Sequence, residues 1–171
     1  MNGPLLQRFD RGVRRLLPFC LCLVLSLVAA TPTRLPDFDM IMPALPLIGL
    51  FYWSIFRPDL IGWLPAFALG LANDLISGTP LGVSSLLFLL VRGVTVSRRR
   101  FFLSRPFRIA WWGFSVAAVC ASLAQWALLS VMFRQTMGIR AVGVEALMTI
   151  LLYPPLSWLF ARSQRSMLIN A

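Results

Sequence analysis

Residues 16–33, 40–56, 75–91, 109–133 and 146–161 each run for sixteen positions or more without a charged side chain. At a rise of ~1.5 Å per residue, each is close to the length that crosses a hydrocarbon core of about 30 Å. A backbone in hydrocarbon must satisfy its own N–H and C=O groups, so segments of this kind are helices. A sixth, shorter run, 60–73, ends at Asp74. With 58% hydrophobic residues, well above the share found in soluble domains, the chain reads as an all-α integral membrane protein. The predicted spans are about 16–30, 41–56, 61–76, 81–96, 109–133 and 144–161. They use almost all of the 171 residues and make a single membrane domain with no separate soluble part.

The arginines orient these spans. All sixteen basic residues are Arg, there is no Lys or His, and the formal charge is +10. With six crossings and a cytoplasmic start, the inner side receives Arg8, Arg11, Arg14, Arg15, Arg57, Arg98, Arg99, Arg100, Arg105, Arg108, Arg162 and Arg165. The outer side receives Arg34, Arg134 and Arg140, while Arg92 falls inside the fourth span. This asymmetry follows the positive-inside rule and places both termini in the cytoplasm. Arg14-Arg15 followed by 16–30 and ending Val28-Ala29-Ala30 also has the layout of a signal peptide. The uncharged run continues to Thr33 and six spans give matched termini, so the segment is read as retained.

Such a distribution points the positive charge at anionic lipid headgroups rather than at nucleic acid. Without His there is no imidazole base, and without Lys there is no nucleotide-binding P-loop. The six acids are spread over both membrane faces, so no close pair is expected for metal-assisted hydrolysis, and no cofactor is implied. The reading is therefore non-enzymatic. Cys20, Cys22 and Cys120 lie within spans and read as small apolar fillers.

Local chemistry divides the chain further. Pro43, Pro46 and Gly49 predict a bent or irregular outer half for the second span, and Phe51, Tyr52 and Trp53 near its inner end fit an interfacial aromatic belt. Arg57-Pro58-Asp59 makes an inner tight turn, with proline at its first central position. Gly78, Thr79, Pro80, Leu81 and Gly82 make the outer hairpin turn between spans three and four. Residues 97–108 alternate arginines with Phe101, Phe102 and Phe107, as a segment lying on a charged membrane surface does. Pro154-Pro155 is expected to interrupt the last span.

Candidate sites follow from polar or small residues in apolar surroundings. Gly62, Ala66 and Gly70 form a stripe of small residues that lets helices approach closely, and it leads to Asp74. Gly113, Ala117 and Ala121 form a second stripe, leading to Gln125. A carboxylate within a span costs roughly 2.5–3.5 kcal/mol on insertion scales, so Asp74 marks a ligand, a proton carrier or a structural acid. An ion pair with Arg140 or Arg134 is the expected local explanation, and Asp59 is the expected partner for Arg92 unless that side chain snorkels.

Taken in order, Pro43-Ala44-Leu45-Pro46-Leu47-Ile48, Phe51-Tyr52-Trp53, Arg57-Pro58-Asp59-Leu60 and Gly70-Leu71 through Asp74, Gly78, Pro80, Leu81 and Gly82 resemble the MreD family of bacterial rod shape-determining proteins. The motifs cover about 43–82; beyond Ser97 the likeness is one of layout. The resemblance implies an inner-membrane scaffold of the cell-elongation machinery. Its implied partners are MreC and, through it, cytoplasmic MreB filaments and a peptidoglycan synthase of the RodA and penicillin-binding protein type. It implies a helical fold similar to the substrate-binding subunits of energy-coupling-factor vitamin transporters. A small-molecule transporter subunit is accordingly the alternative, needing a polar pocket built from Asn73, Asp74, Gln125 and Glu145. For the scaffold, the positions of interest are Asp74 with 78–82, Arg57-Pro58-Asp59, and Tyr52-Trp53.

Overall fold

The computed structural model describes residues 18–29, 44–133 and 139–169, with side chains in the last segment described from 142 to 162. The loop carrying Arg34, Asp37 and Asp39, the N-terminal arginines, Arg134, and the side chains of Arg140 and Arg165 lie outside the described residues, as does the proposed cleavage segment beyond Ala29. Seven helices are described: α1 (Pro18–Ala29), α2 (Leu45–Phe56), α3 (Trp63–Ser77), α4 (Val83–Ser97), α5 (Arg99–Leu103), α6 (Phe107–Phe133) and α7 (Ile139–Ile169). Two stretches, Phe107–Phe133 and Val142–Arg162, are long and apolar enough to cross a membrane by length and composition. At 12 to 15 residues, α2, α3 and α4 cover only roughly 18–23 Å of helix axis.

Helix α2 is the centre of the bundle. Every residue from Leu45 to Ile55 is buried, and the helix touches α3, α4, α5, α6 and α7. It begins at Leu45, which puts Pro46 in the first turn, where no intrahelical N–H is required. The expected irregularity is absent from 45–56, which is helical throughout, while Pro43 lies outside the described residues. Its start lacks a side-chain cap of its own; instead the Ala44 N–H donates to Thr149 Oγ1 of α7 (3.0 Å). Gly49 leaves room for the buried Cys22 thiol of α1, so that cysteine is a filler, whereas Cys20 and Cys120 are exposed.

The aromatic belt expected at 51–53 is not formed. Phe51, Tyr52 and Trp53 are 2%, 4% and 1% exposed. Phe51 sits edge-on to Phe102, Phe114 and Tyr153, and Tyr52 packs on Phe160. The reason is the position of α2: enclosed on all sides, it has no interfacial face to offer. The outward surface is instead apolar elsewhere, with Leu64, Leu75, Leu90, Val94, Trp112 and Val131 all more than half exposed. An apolar exterior this extensive suits a lipid surround and not water.

The expected break at Pro154-Pro155 is also absent, since both prolines lie inside α7. Pro154 has no N–H to give the Ile150 carbonyl four residues earlier. Trp111 of α6 donates its Nε1–H to that carbonyl (3.2 Å), which lets the helix continue and ties α6 to α7.

Candidate functional site

Ser26, Asn73, Asp74, Ser84 and Ser85, polar residues of the apolar segments, gather where α3 turns into α4. Gly78 ends α3 in the left-handed region (φ 67°), and Gly82 precedes α4 with φ 103°. Two positive φ values within five residues explain why glycine stands at both places. Gly78 and Thr79 donate their backbone N–H groups to the Asp74 carbonyl, a left-handed helix stop. Pro80 accepts from the Val83 N–H (3.3 Å), closing the turn, and Leu81 at its tip is 65% exposed.

Asp74 is wholly buried and fastens this hairpin. Oδ1 accepts from the Thr79 hydroxyl (2.8 Å) and the Ser84 N–H (3.0 Å), and Oδ2 accepts from the Gly82 N–H (2.8 Å). The first turn of α4 carries no side-chain cap from Gly82, so a carboxylate reaching across from α3 supplies it. Negative charge there complements the helix dipole as well as the free N–H groups. The ion pair expected with Arg134 or Arg140 falls on side chains that lie outside the described residues. The carboxylate cap also accounts for the spacing: an acid at the end of one helix, four residues before a glycine and eight before another, reaches the N-terminus of the next.

Asn73 extends the network sideways. Its Oδ1 accepts from Ser26 Oγ of α1 (2.8 Å), and its Nδ2 donates to Ser84 Oγ (3.1 Å). Ser85 Oγ donates to the Phe67 carbonyl (3.2 Å) one turn further along. Three helices are thereby joined by hydrogen bonds in a region of low dielectric, where such bonds are strong and unmet ones costly. Ser26 was not singled out by sequence reading; for Ser84, ten residues from Asp74 across a glycine-bounded turn and with no base nearby, backbone or interhelical bonding is the default, and it forms.

The first small-residue stripe divides on inspection. At Gly70 an added Cβ would collide with the backbone of Ser84 and Ser85, so α3 and α4 approach there as closely as two helices can. Ala66 is fully buried. Gly62 only precedes α3, and its nearest neighbour for a Cβ is Pro65 Cδ at 3.6 Å. It is not part of the close approach, because the helix starts one residue later. With Gly70 occupied by α4, this face is not left open to a partner's helix.

The second stripe makes no backbone-to-backbone approach of the Gly70 kind at Gly113. Phe102 of α5 lays its ring over Gly113, filling the space a side chain would take. Ala117 and Ala121 line an apolar groove of about 630 Å³ between α4 and α6, with Phe51 at its base. Small residues here make a concavity, not a contact. Gln125 lies beyond the groove and is half-buried, as is Glu145 on α7.

At the opposite end of the α3–α4 pair, Arg57-Pro58-Asp59 forms the expected turn: Arg57 closes α2 by donating its N–H to the Trp53 carbonyl (2.8 Å), and Leu60 N–H donates to Arg57 O (3.0 Å). Arg92, only 5% exposed, donates Nε–H to the Ile61 carbonyl (2.7 Å) and Nη2–H to the Pro58 carbonyl (3.5 Å), with its guanidinium 4.5 Å from the Trp63 ring centre. The expected partner Asp59 is exposed, and no ion pair joins the two among the described residues. Backbone carbonyls of the connection are nearer and point at the guanidinium, so they hold it in place of the acid. Arg99 repeats the device, donating Nε–H to the Ile55 carbonyl at the end of α2 (3.0 Å).

A family model described as rod shape-determining protein MreD matches residues 12–163. Comparison with curated proteins and with solved structures gave no match.

Proposed function

Because this chain belongs to the rod shape-determining protein MreD family, we propose that it is a non-catalytic, multi-pass scaffold of the bacterial inner membrane, binding MreC and linking cytoplasmic MreB filaments to peptidoglycan synthesis by a RodA and penicillin-binding protein pair. Six crossings with both termini in the cytoplasm are part of the same reading. The observation that carries it is how Asp74 is employed. A solute-binding subunit would offer its buried polar groups to a ligand. Here the Asp74 carboxylate and the Asn73 amide are taken up by Thr79, Gly82, Ser84 and Ser26 of the same chain. The result is a rigid hairpin presenting exposed Leu75, Gly78 and Leu81. A preorganised apolar tip of this kind suits protein contact, since little ordering entropy is lost on binding.

In this reading the hairpin tip touches the external part of MreC, and Arg57, Asp59 and the arginine loop face cytoplasmic partners or lipid. Leu81→Arg tests it, because the side chain is exposed and its replacement leaves the Asp74 network intact. The variant is expected to insert normally and to recover less MreC on co-purification. Full recovery of MreC, together with rods that stay rod-shaped after depletion of the protein, would refute the scaffold.

A further inference from the structure

We propose that the groove between α4 and α6 binds one anionic phospholipid, with an acyl chain along the groove and the phosphate at its arginine end. The inference does not depend on the partner assigned above. Along α4 the groove is walled by Leu87, Leu90, Val91 and Val94, and the α6 wall is equally apolar. Its one hydroxyl there, Thr95, already donates to the Val91 carbonyl (2.6 Å), so the interior asks for an apolar occupant. None of the described acids lines it. A volume of about 630 Å³ lies within the ~300–1,000 Å³ usual for small-molecule sites.

Charge enters at one end only. Arg98 belongs to the groove wall, and Arg105 stacks over Phe101, another wall residue, with 4.8 Å between guanidinium carbon and ring centre. Two guanidinium forks at the mouth of an apolar channel match a phosphate diester attached to a hydrocarbon chain. Length separates this occupant from a crossing helix. From Arg98 to Leu87 the α4 wall extends roughly 16 Å, and the α6 wall from Ile109 to Ala124 about 22 Å. One leaflet of hydrocarbon is ~15 Å deep, whereas a partner's helix needs ~30 Å. Along α4 the groove is about one leaflet long, along α6 it stops short of a full crossing, and it starts at the headgroup level.

Native mass spectrometry of the detergent-purified chain, titrated in parallel with phosphatidylglycerol and phosphatidylethanolamine, tests the proposal. The wild type is expected to retain one phosphatidylglycerol in preference to phosphatidylethanolamine. Arg98→Gln and Arg105→Gln, both at exposed side chains, should each weaken that retention about fivefold, the equivalent of about 1 kcal/mol per headgroup arginine. Val94→Trp, at a position 65% exposed, should block the groove and abolish retention while the melting temperature stays that of the wild type. Equal retention of the two lipids, or wild-type retention in both glutamine variants, would overturn the site. So would a Val94→Trp protein that keeps its lipid but no longer recovers MreC, since the groove would then belong to a helix. That result is distinct from failure of the scaffold reading, which Leu81→Arg addresses.

Discussion

Replacing Asp74 should loosen the α3–α4 hairpin in a graded way that depends on how many donors are stranded. In Asp74→Ala, the N–H groups of Gly82 and Ser84 and the Thr79 hydroxyl all lose their acceptor. Of these, the Ser84 bond is the fully buried one, and an unmet buried donor costs about 1–3 kcal/mol. Loss of the carboxylate charge beside the α4 N-terminus adds about 0.3–1 kcal/mol. The Gly82 and Thr79 donors lie at the partly exposed turn and can turn to water, so the total is about 1–4 kcal/mol. Asp74→Asn keeps one acceptor oxygen for Thr79 and Ser84 but presents an amide N–H to Gly82, so about 1 kcal/mol is lost. Equilibrium unfolding of the purified protein in mixed micelles, followed by tryptophan fluorescence, gives both values. Equal losses for the two variants, or none for Asp74→Ala, would refute the capping argument. Wild-type stability combined with loss of a bound solute in both would make Asp74 a ligand site.

The same measurement distinguishes residues that one sequence pattern groups together. Gly70→Ala should cost about 1–3 kcal/mol because its Cβ meets the Ser85 backbone, while Gly62→Ala should stay within about 0.5 kcal/mol. Arg92→Met removes two bonds from a charged donor and should cost about 2–3 kcal/mol; Arg92→Lys should not restore it, as an ammonium lacks the planar fork, and Asp59→Asn should be silent. Trp111→Phe should cost about 1 kcal/mol in the wild type and much less in a Pro154→Ala background, where the Ile150 carbonyl regains a helical donor. Full additivity of that pair would mean the indole bond does not serve the proline gap.

How far the chain could be read differs from residue to residue. Glycine at 78 and 82 with proline between them marks a turn by local sterics alone, and the two flanking helices start and stop within two residues of the expected bounds. Arg57-Pro58-Asp59 was legible for the same reason. Tyr52 and Trp53 were misjudged because aromatic residues at the end of an apolar run serve a bilayer interface and a protein core equally well. Only the enclosure of α2 by its neighbours decides between them. Arg92 was assigned an opposite charge as partner, the natural inference from a list of charges. In the fold it is met by backbone carbonyls, of which a sequence reports only that every residue has them.

The sequence by itself determined that this is a helical membrane protein and where its hairpin turns. Those properties depend on run length and on glycine and proline sterics, which act over a few neighbouring residues. Tertiary structure alone decided that Gly70 and not Gly62 admits a neighbouring helix, that Ala117 and Ala121 border a groove, and that the Ile150 carbonyl freed by Pro154 is met by Trp111. Each of these is a relation between segments remote along the chain, and a hydrogen bond or a close approach exists only once packing has fixed both sides of it.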